Sequence, residues 1–419
     1  MPTAVNIATI APALENLAAE GLRDQFEQEG PTYSMFNMGN APFVNGKGFR
    51  IPSYLRPPTG VSGIAEGGSF KQPSAPTFDD MYVSPMNYSL PFEITGRALR
   101  NFNSSEAAIE NFSDYMQKLT MALKKEANIG CFGDGSALRA IYKSGTTTVT
   151  LYNSTAHTPT AGYGSTKGAI HMRVGESYDV YDSTLATYRG TTTPSAKTNT
   201  TITIPAAIAG ATDGDIYLLS NSLYKVPRGL AYIVNNDTGT FQLQSRNTYP
   251  ELKAVVEDLN GAAITVSTFS KTKRHLIARA GVGKAKTVVA IMSLAQDDAL
   301  TRLGQNFKRW DGKDKEFDGS FDTFKHGDTV AKIDPDCCED RIYLVVPNEI
   351  KRYQEMAFGL YQADGNSLRM RSGSTGYGSD AYTAAIGVWE NYGAEEPRCN
   401  ALIKRAAVAG LSTQVAASA

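Results

Sequence analysis

Residues 104–130, SSEAAIENFSDYMQKLTMALKKEANIG, decide the fold because they have the pattern of one long amphipathic helix. Two serines can cap its start, Glu106 suits the first turn, and Gly130 suits a left-handed cap at its end. At 1.5 Å per residue such a helix is about 40 Å long, well beyond the usual length of roughly three turns. Its apolar stripe comprises Ala108, Ile109, Phe112, Tyr115, Met116, Leu119, Ala122 and Leu123. An ordinary core helix shows the same stripe, so the neighbouring segments decide its meaning.

A long hairpin is predicted immediately before this helix. Residues 78–95 alternate between apolar and polar, which predicts a strand, and residues 47–55 are its expected partner. Pro85 and Pro91 cannot donate ladder hydrogen bonds, so the strand is expected at a sheet edge or in a two-stranded ribbon. Glycine, proline and serine dominate the segment between the two strands, which predicts a flexible tip. Because a lone hairpin is marginally stable, we expect it to lie on a neighbouring subunit.

The composition changes after the helix, at about residue 145. Residues 145–226 are rich in threonine, serine and glycine, and they predict a β-rich insertion with strands at 146–152, 169–181, 200–204 and 215–219. Beyond Arg228 a mixed α/β region is predicted, with a helix at 296–303, a Gly/Ser loop at 371–378, and strands at 288–292, 329–333, 342–346, 388–392 and 402–406. At the two ends, the pattern predicts an arm helix at 12–28 and a frayed tail after Gly410.

The composition excludes several classes of protein. The 419 residues include 41 basic and 42 acidic side chains, so no overall field favours nucleic acid or anionic lipid. No stretch approaches the roughly 20 apolar residues of a membrane span, and no signal peptide is predicted. The four cysteines form no CxxC motif and no disulfide framework, which indicates a reducing compartment.

The search for chemical motifs predicts no catalytic residue, no cofactor site and no metal site. The run Gly281 to Lys284 resembles a phosphate loop, but alanines stand at 278 and 285, where the motif needs Gly and Ser or Thr. Asp213, Gly214 and Asp215 predict a turn rather than a calcium loop. A solvated helix face explains the basic cluster of Lys271, Lys273, Arg274 and Arg279 better than nucleic-acid recognition does. We therefore predict a protein that is not an enzyme.

The order of the elements resembles the tailed-bacteriophage major capsid family, which has the Hong Kong 97-like capsid fold. The stretches that carry the resemblance are 49–52 (FRIP), 63–67 (GIAEG), 90–95 (LPFEIT), 229–234 (GLAYIV), 245–247 (SRN) and 340–344 (DRIYL). The resemblance implies an α+β fold with these parts: N-terminal arm 1–40, extended loop 41–100, peripheral domain with the spine helix 101–144, β-rich insertion domain 145–226, mixed α/β axial domain 227–385, and closing strands of the peripheral domain with the C-terminal tail 386–419.

The resemblance implies a major capsid protein that self-assembles as hexamers and pentamers into the icosahedral head shell of a tailed phage. The shell would enclose double-stranded DNA without sequence-specific binding or membrane contact, after assembly in the cytoplasm of a host bacterium. Since no long charged helical segment precedes the hairpin, a separate scaffolding protein is expected, together with a portal; a decoration protein is compatible with this scheme.

Three alternatives remain open at this point. One is an encapsulin-type nanocompartment shell protein, which shares the fold, although the insertion is more typical of phage capsids. Another is a β-rich phage tail or binding protein, which the threonine- and glycine-rich middle would suit. The third is a hydrolase whose site is assembled from residues distant in sequence, for which no nucleophile–base pattern is visible.

Arg56, Glu66 and Lys71 are the candidate inter-subunit contacts, because they lie on the predicted loop and can make charge-assisted contacts with a neighbour. Some members of the family instead form an isopeptide bond between a loop lysine and an asparagine of the adjacent subunit. In this sequence the residues for that alternative are Lys71 and Asn400, with Glu66 as the assisting carboxylate. We predict non-covalent locking.

Overall fold

The computed structural model describes residues 31–95, 106–154, 167–305, 325–326, 329–361, 369–372 and 378–407. The predicted arm helix at 12–28, the serine caps at 104 and 105 and the tail after Gly410 lie outside these residues. Helices and strands are mixed along the described chain, which confirms the predicted α+β class.

The predicted long helix is present as α1, Glu106–Phe132. The predicted left-handed cap at Gly130 is wrong, because the helix continues through this residue. Gly130 serves a packing role instead: a Cβ at this position would lie 2.1 Å from Oη of Tyr88, so only glycine admits the tyrosine. All side chains from residue 126 to residue 132 are buried, so the end of α1 passes through the core rather than along its surface.

The predicted strand at 78–95 is in fact two strands, β3 (Thr77–Val83) and β4 (Met86–Thr95). The chain changes partner at Ser84 and Pro85, where proline has no amide hydrogen to continue the ladder. As predicted, β3 pairs with the preceding arm, β2 (Gly48–Arg56), and β1 (Phe43–Val44) adds a third strand. Among the described strands β4 pairs only with β21 (Gly378–Ala394), which confirms its prediction as an edge strand.

The second sheet is built around β21. Strand β4 covers one of its edges, while β19 (Ile350–Leu360) and β20 (Arg369–Ser372) pair along the other edge. The predicted strand at 388–392 is part of β21. The predicted Gly/Ser loop at 371–378 begins inside β20, and residues 373–377 lie outside the described part.

A seven-stranded sheet follows α1. Its order is β8-β7-β11-β5-β6-β10-β9, with β5 Leu138–Gly145, β6 Thr148–Tyr152, β7 Tyr178–Tyr181, β8 Tyr188–Thr192, β9 Ala196–Lys197, β10 Thr201–Thr203 and β11 Ile216–Leu219. The strands predicted at 146–152, 200–204 and 215–219 are confirmed. The one predicted at 169–181 is wrong for its first part, since residues 168–171 form a 3₁₀ turn.

This sheet is not packed as a separate body. Residues such as Tyr142 and Val149 build a local core, whereas Ile141 and Leu218 belong to the main core of the chain. The sheet also begins at Leu138, before the predicted insertion boundary at residue 145. The division of the chain into domains therefore stays a prediction.

A mixed sheet forms the remaining layer. Its order is β14-β22-β18-β15-β17-β16, with β14 Val255–Asp258, β15 Val289–Met292, β16 Lys325–His326, β17 Thr329–Ile333, β18 Ile342–Val345 and β22 Ala401–Lys404. The helices here are α2 Leu230–Ile233, α3 Val266–Ala280, α4 Val282–Ala285 and α5 Leu294–Gln305, and a small hairpin joins β12 (Thr240–Phe241) to β13 (Gln244–Ser245). The predictions at 288–292, 296–303, 329–333 and 342–346 are confirmed. The strand predicted at 402–406 is β22 of this sheet. It therefore lies in a different sheet from β21, although both were predicted as closing strands of one domain.

Candidate functional site

The segment between β2 and β3 forms an exposed tip whose two ends meet. The amide of Ser74 donates to the carbonyl of Thr59 at 2.8 Å, and the amide of Thr59 donates to Oγ of Ser74 at 3.0 Å. All residues from 61 to 75 are exposed. Three of them are large and apolar, with Val61 99%, Ile64 44% and Phe70 87% exposed. Single exposed apolar side chains are common, so it is their grouping on one exposed segment that makes the tip a candidate contact surface.

The two-stranded stem below the tip has one buried and one exposed face. Phe49, Ile51 and Met81 pack into the core. On the other face, Tyr54 and Phe78 form a cross-strand aromatic pair with ring centroids 5.0 Å apart, and they are 52% and 70% exposed. Neither aromatic residue is among the contact residues predicted from the sequence. The alternation of the strands could have located them, because each lies opposite the buried positions.

The structure places Arg56 apart from the other two predicted contact residues. Arg56 lies at the base of the loop, where Nη2 donates to the carbonyl of Thr248 at 2.8 Å and Nε lies 3.4 Å from Oε1 of Glu251. Its guanidinium group also lies 5.5 Å from the ring centroid of Tyr249. Glu66 and Lys71 are exposed on the tip, apart from Arg56. Arg56 thus makes contacts within its own chain, and the role of all three residues in contacts with a neighbour stays a prediction.

Asn400 is unsuited to the isopeptide alternative. Its side chain is fully buried, Oδ1 accepts from the amide of Val346 at 2.9 Å, and Nδ2 donates to the carbonyl of Pro397 at 3.5 Å. A lysine from another subunit could not reach this carboxamide without opening the core. The structure therefore argues against the pairing of Lys71 with Asn400.

Buried polar groups anchor the first described residues to the body. Oγ1 of Thr32 donates to Oδ2 of Asp334 at 2.5 Å. Nδ2 of Asn128, on α1, donates to Oδ1 of Asp334 at 3.1 Å and to Oδ2 of Asp336 at 2.9 Å. The amide of Tyr33 donates back to Oδ1 of Asn128 at 3.3 Å. These bonds hold the chain segment at 32–33 against both the spine helix and the loop after β17.

Glu390 provides a second anchor for the same segment. It is fully buried on β21, and Oη of Tyr33 donates to its Oε2 at 2.8 Å. Nε of Arg352 lies 3.8 Å from that oxygen, and its guanidinium group is 4.1 Å from the ring centroid of Tyr33. Burial raises the pKa of Glu390 to about 7, although Arg352 and the Tyr33 hydroxyl act in the opposite direction.

No protein-family model matches the chain, and no curated protein matches it. A chain of the cyanophage A-1(L) capsid asymmetric unit is 12% identical, with a TM-score of 0.55, over 90% of this chain and 93% of that chain. This chain has a phage capsid fold. The capsid of a native GTA particle is also similar, at 8% identity and a TM-score of 0.48, over 91% of each chain.

The predicted Hong Kong 97-like capsid fold is therefore confirmed at the level of the fold. Within the capsid fold, no group of three or more His, Cys, Asp or Glu side chains is placed to hold a metal ion among the residues that the structure describes. In the same part of the chain, no helix combines the length and the apolar character needed to cross a membrane.

Glu390 is expected to make the stability of this capsid fold depend on pH. A carboxyl whose pKa is raised on folding binds more protons in the folded state, so its contribution to stability falls as the pH rises from about 4.5 to about 7 and then levels off. Glu390→Gln can still accept the Tyr33 hydrogen bond but does not titrate. Urea unfolding at several pH values between 5 and 8 should show a flatter profile for this variant. Parallel profiles for the two proteins would contradict the assignment.

Proposed function

We propose that this chain is a major capsid protein, forming hexamers and pentamers that build the icosahedral head shell of a tailed double-stranded DNA phage. The fold supports this proposal, since similarity to a cyanophage capsid chain extends over about nine-tenths of both chains. The observation that carries it is the exposed loop, where Val61 and Phe70 project and the aromatic pair of Tyr54 and Phe78 lies on the outer face of the stem. A neighbouring subunit would cover these apolar surfaces, and closed symmetry would repeat each contact throughout the shell.

The proposed role is structural and includes no catalytic step. The partners are other copies of the chain, a separate scaffolding protein and a portal, and a decoration protein is compatible with this scheme. The near balance of 41 basic and 42 acidic residues suits a container that encloses DNA without binding it tightly or sequence-specifically. The location of the mature protein would be the virion, after assembly in the bacterial cytoplasm.

Particle formation tests this proposal. The chain would be produced alone and with the phage's scaffolding protein, then analysed by size-exclusion chromatography and negative-stain microscopy. Uniform closed shells are expected. Nuclease-protected DNA in native particles would support a phage head, whereas enclosed enzyme cargo would indicate a nanocompartment. Fibrous or monomeric protein under both conditions would overturn the shell and favour a tail or binding protein.

A further inference from the structure

We propose that the two-residue turn between β12 and β13 is a clamp that fixes the direction in which the extended loop leaves the subunit. This inference concerns the folded subunit and goes beyond the proposed role in a shell. The turn consists of Gln242 and Leu243, which have φ values of 49° and 67°. Two-residue hairpin turns with positive φ at both positions strongly favour asparagine and glycine, so this pair is an unfavourable choice for the turn itself.

Burial does not explain why leucine occupies the second position of the turn. Leu243 is 59% exposed, so its side chain gains little from packing within the chain. Gln242, by contrast, is buried, and its contacts reach three other parts of the fold. A locally unfavourable conformation persists where the surrounding structure holds it in place, so the contacts of Gln242 are what keeps this turn.

The backbone of Gln242 connects the turn to the loop. Its carbonyl accepts from the amide of Tyr82, on β3, at 3.0 Å. Its own amide donates to Oη of Tyr232 at 2.9 Å. The neighbouring Gln244 adds a second bond to β3, since its Nε2 donates to the carbonyl of Asp80 at 2.9 Å. Strand β3 is thus bonded to the turn as well as to β2.

The side chain of Gln242 connects the turn to β21. With the amide oriented to satisfy both of its polar atoms, the nitrogen donates to the carbonyl of Ala394 at 3.2 Å and the oxygen accepts from the amide of Ala394 at 2.9 Å. The pairing of β4 with β21 ends at Glu390 opposite Met86, so β4 does not cover this edge of Ala394. Gln242 takes the place of a strand residue there, satisfying backbone groups that would otherwise be buried without partners.

Gly393 provides the space for this side chain. A Cβ at Gly393 would lie 2.6 Å from Cγ2 of Val83, on β3, and 2.8 Å from the side-chain amide of Gln242. Both distances are too short for carbon packing, so a methyl group here would displace the clamp or β3. The absence of a Cβ at Gly393 therefore leaves room both for the side chain of Gln242 and for Val83 on β3.

Arg246, which directly follows β13, connects the hairpin to neighbouring residues. Its side chain is fully buried and lies 4.7 Å from the ring centroid of Phe241. Nη1 donates to Oδ1 of Asp237 at 2.7 Å, and Nη2 donates to the carbonyl of Tyr232 at 2.6 Å. Arg246 thus bonds the hairpin to α2, while the turn of the same hairpin bonds β3 and β21.

Two substitutions distinguish the effect of the Gln242 side-chain contacts from the effect of the turn conformation. Gln242→Asn suits the positive φ better, but its side chain is one methylene shorter and cannot span to Ala394. Leu243→Gly relieves the second position and leaves Gln242 unchanged, so it is the matched control. If the clamp holds the loop, the first variant loosens β3 even though the turn itself is improved, and the second does not.

Hydrogen exchange on the full-length, unassembled subunit measures this difference. Amides of residues 77–83 should exchange at least about tenfold faster in Gln242→Asn, because opening of β3 becomes easier, and at the wild-type rate in Leu243→Gly. An unchanged rate in Gln242→Asn, or an equal rise in Leu243→Gly, would overturn the clamp. Failure of the shell proposal would leave this readout intact, since it needs no assembly.

Discussion

Removal of the loop tip, residues 61–72, is expected to leave a folded subunit that cannot build stable shells. The deletion bridges only a short distance because the ends already meet: a Cβ at Gly60 would lie 3.0 Å from Cα of Pro73, and the amide of Ser74 donates to the carbonyl of Thr59. Every deleted residue is exposed, so the core loses no packing. What is lost is the apolar surface that a neighbour would cover, and symmetry repeats this loss at each contact.

Thermal unfolding, chromatography and negative-stain microscopy would be compared with the intact chain. We expect a nearly unchanged unfolding temperature and a loss of closed particles. A matched pair of point variants localises the effect: Phe70→Ser removes an apolar side chain from the tip, and Val174→Ser removes one that is 51% exposed on the insertion. Only the first should weaken assembly. Normal particles from the deletion variant would contradict the role of the loop.

Replacement of Arg139 by methionine is expected to have the largest effect on stability. Glu126, on α1, lies between two arginines, with Oε2 2.5 Å from Nη2 of Arg139 and Oε1 2.9 Å from Nη2 of Arg173. The Arg139 side chain on β5 is only 3% exposed. Removal of one member of a buried ion pair typically costs about 3–5 kcal/mol, because the other charge stays buried without its partner. Arg173 remains nearby, so we expect about 3 kcal/mol, the lower end of that range.

Arg173→Met is the matched control, because it removes a partner of the same carboxylate at a more exposed position. Its side chain is 32% exposed and solvent screens its charge, so a loss of about 1 kcal/mol or less is expected. Urea unfolding of both variants measures the difference. Equal losses would show that burial of Arg139 does not determine the strength of this ion pair between α1 and the seven-stranded sheet.

Elements with a strong local period were predictable. The long helix α1 and α5 lie at or near their predicted positions because each repeats its apolar residues over enough turns to show which side is buried. The charged loop residues Glu66 and Lys71 were also placed correctly on an exposed tip, since glycine and proline cannot build a core there.

Strand partners were less predictable. The run at 78–95 has one continuous alternation, yet its halves belong to different sheets, and the partner of β4 is β21, almost three hundred residues away in sequence. Asparagine is usually found at the surface, yet Asn400 lies in the core. Its side-chain oxygen is needed there because it accepts a hydrogen bond from the backbone amide of Val346. Periodicity records which side of a segment is buried and carries no information about what buries it.

The sequence by itself determined the α+β class, the order of hairpin, long helix, β-rich region and mixed α/β region, and the exposed hairpin tip, since these depend on composition and local period. Only the tertiary structure decided how the parts are joined. Tyr33 meets Glu390, Thr32 meets Asp334, and Gln242 meets both β3 and Ala394. Each of these contacts exists because a buried polar group must find a partner, and the nearest partner in space is far away along the chain.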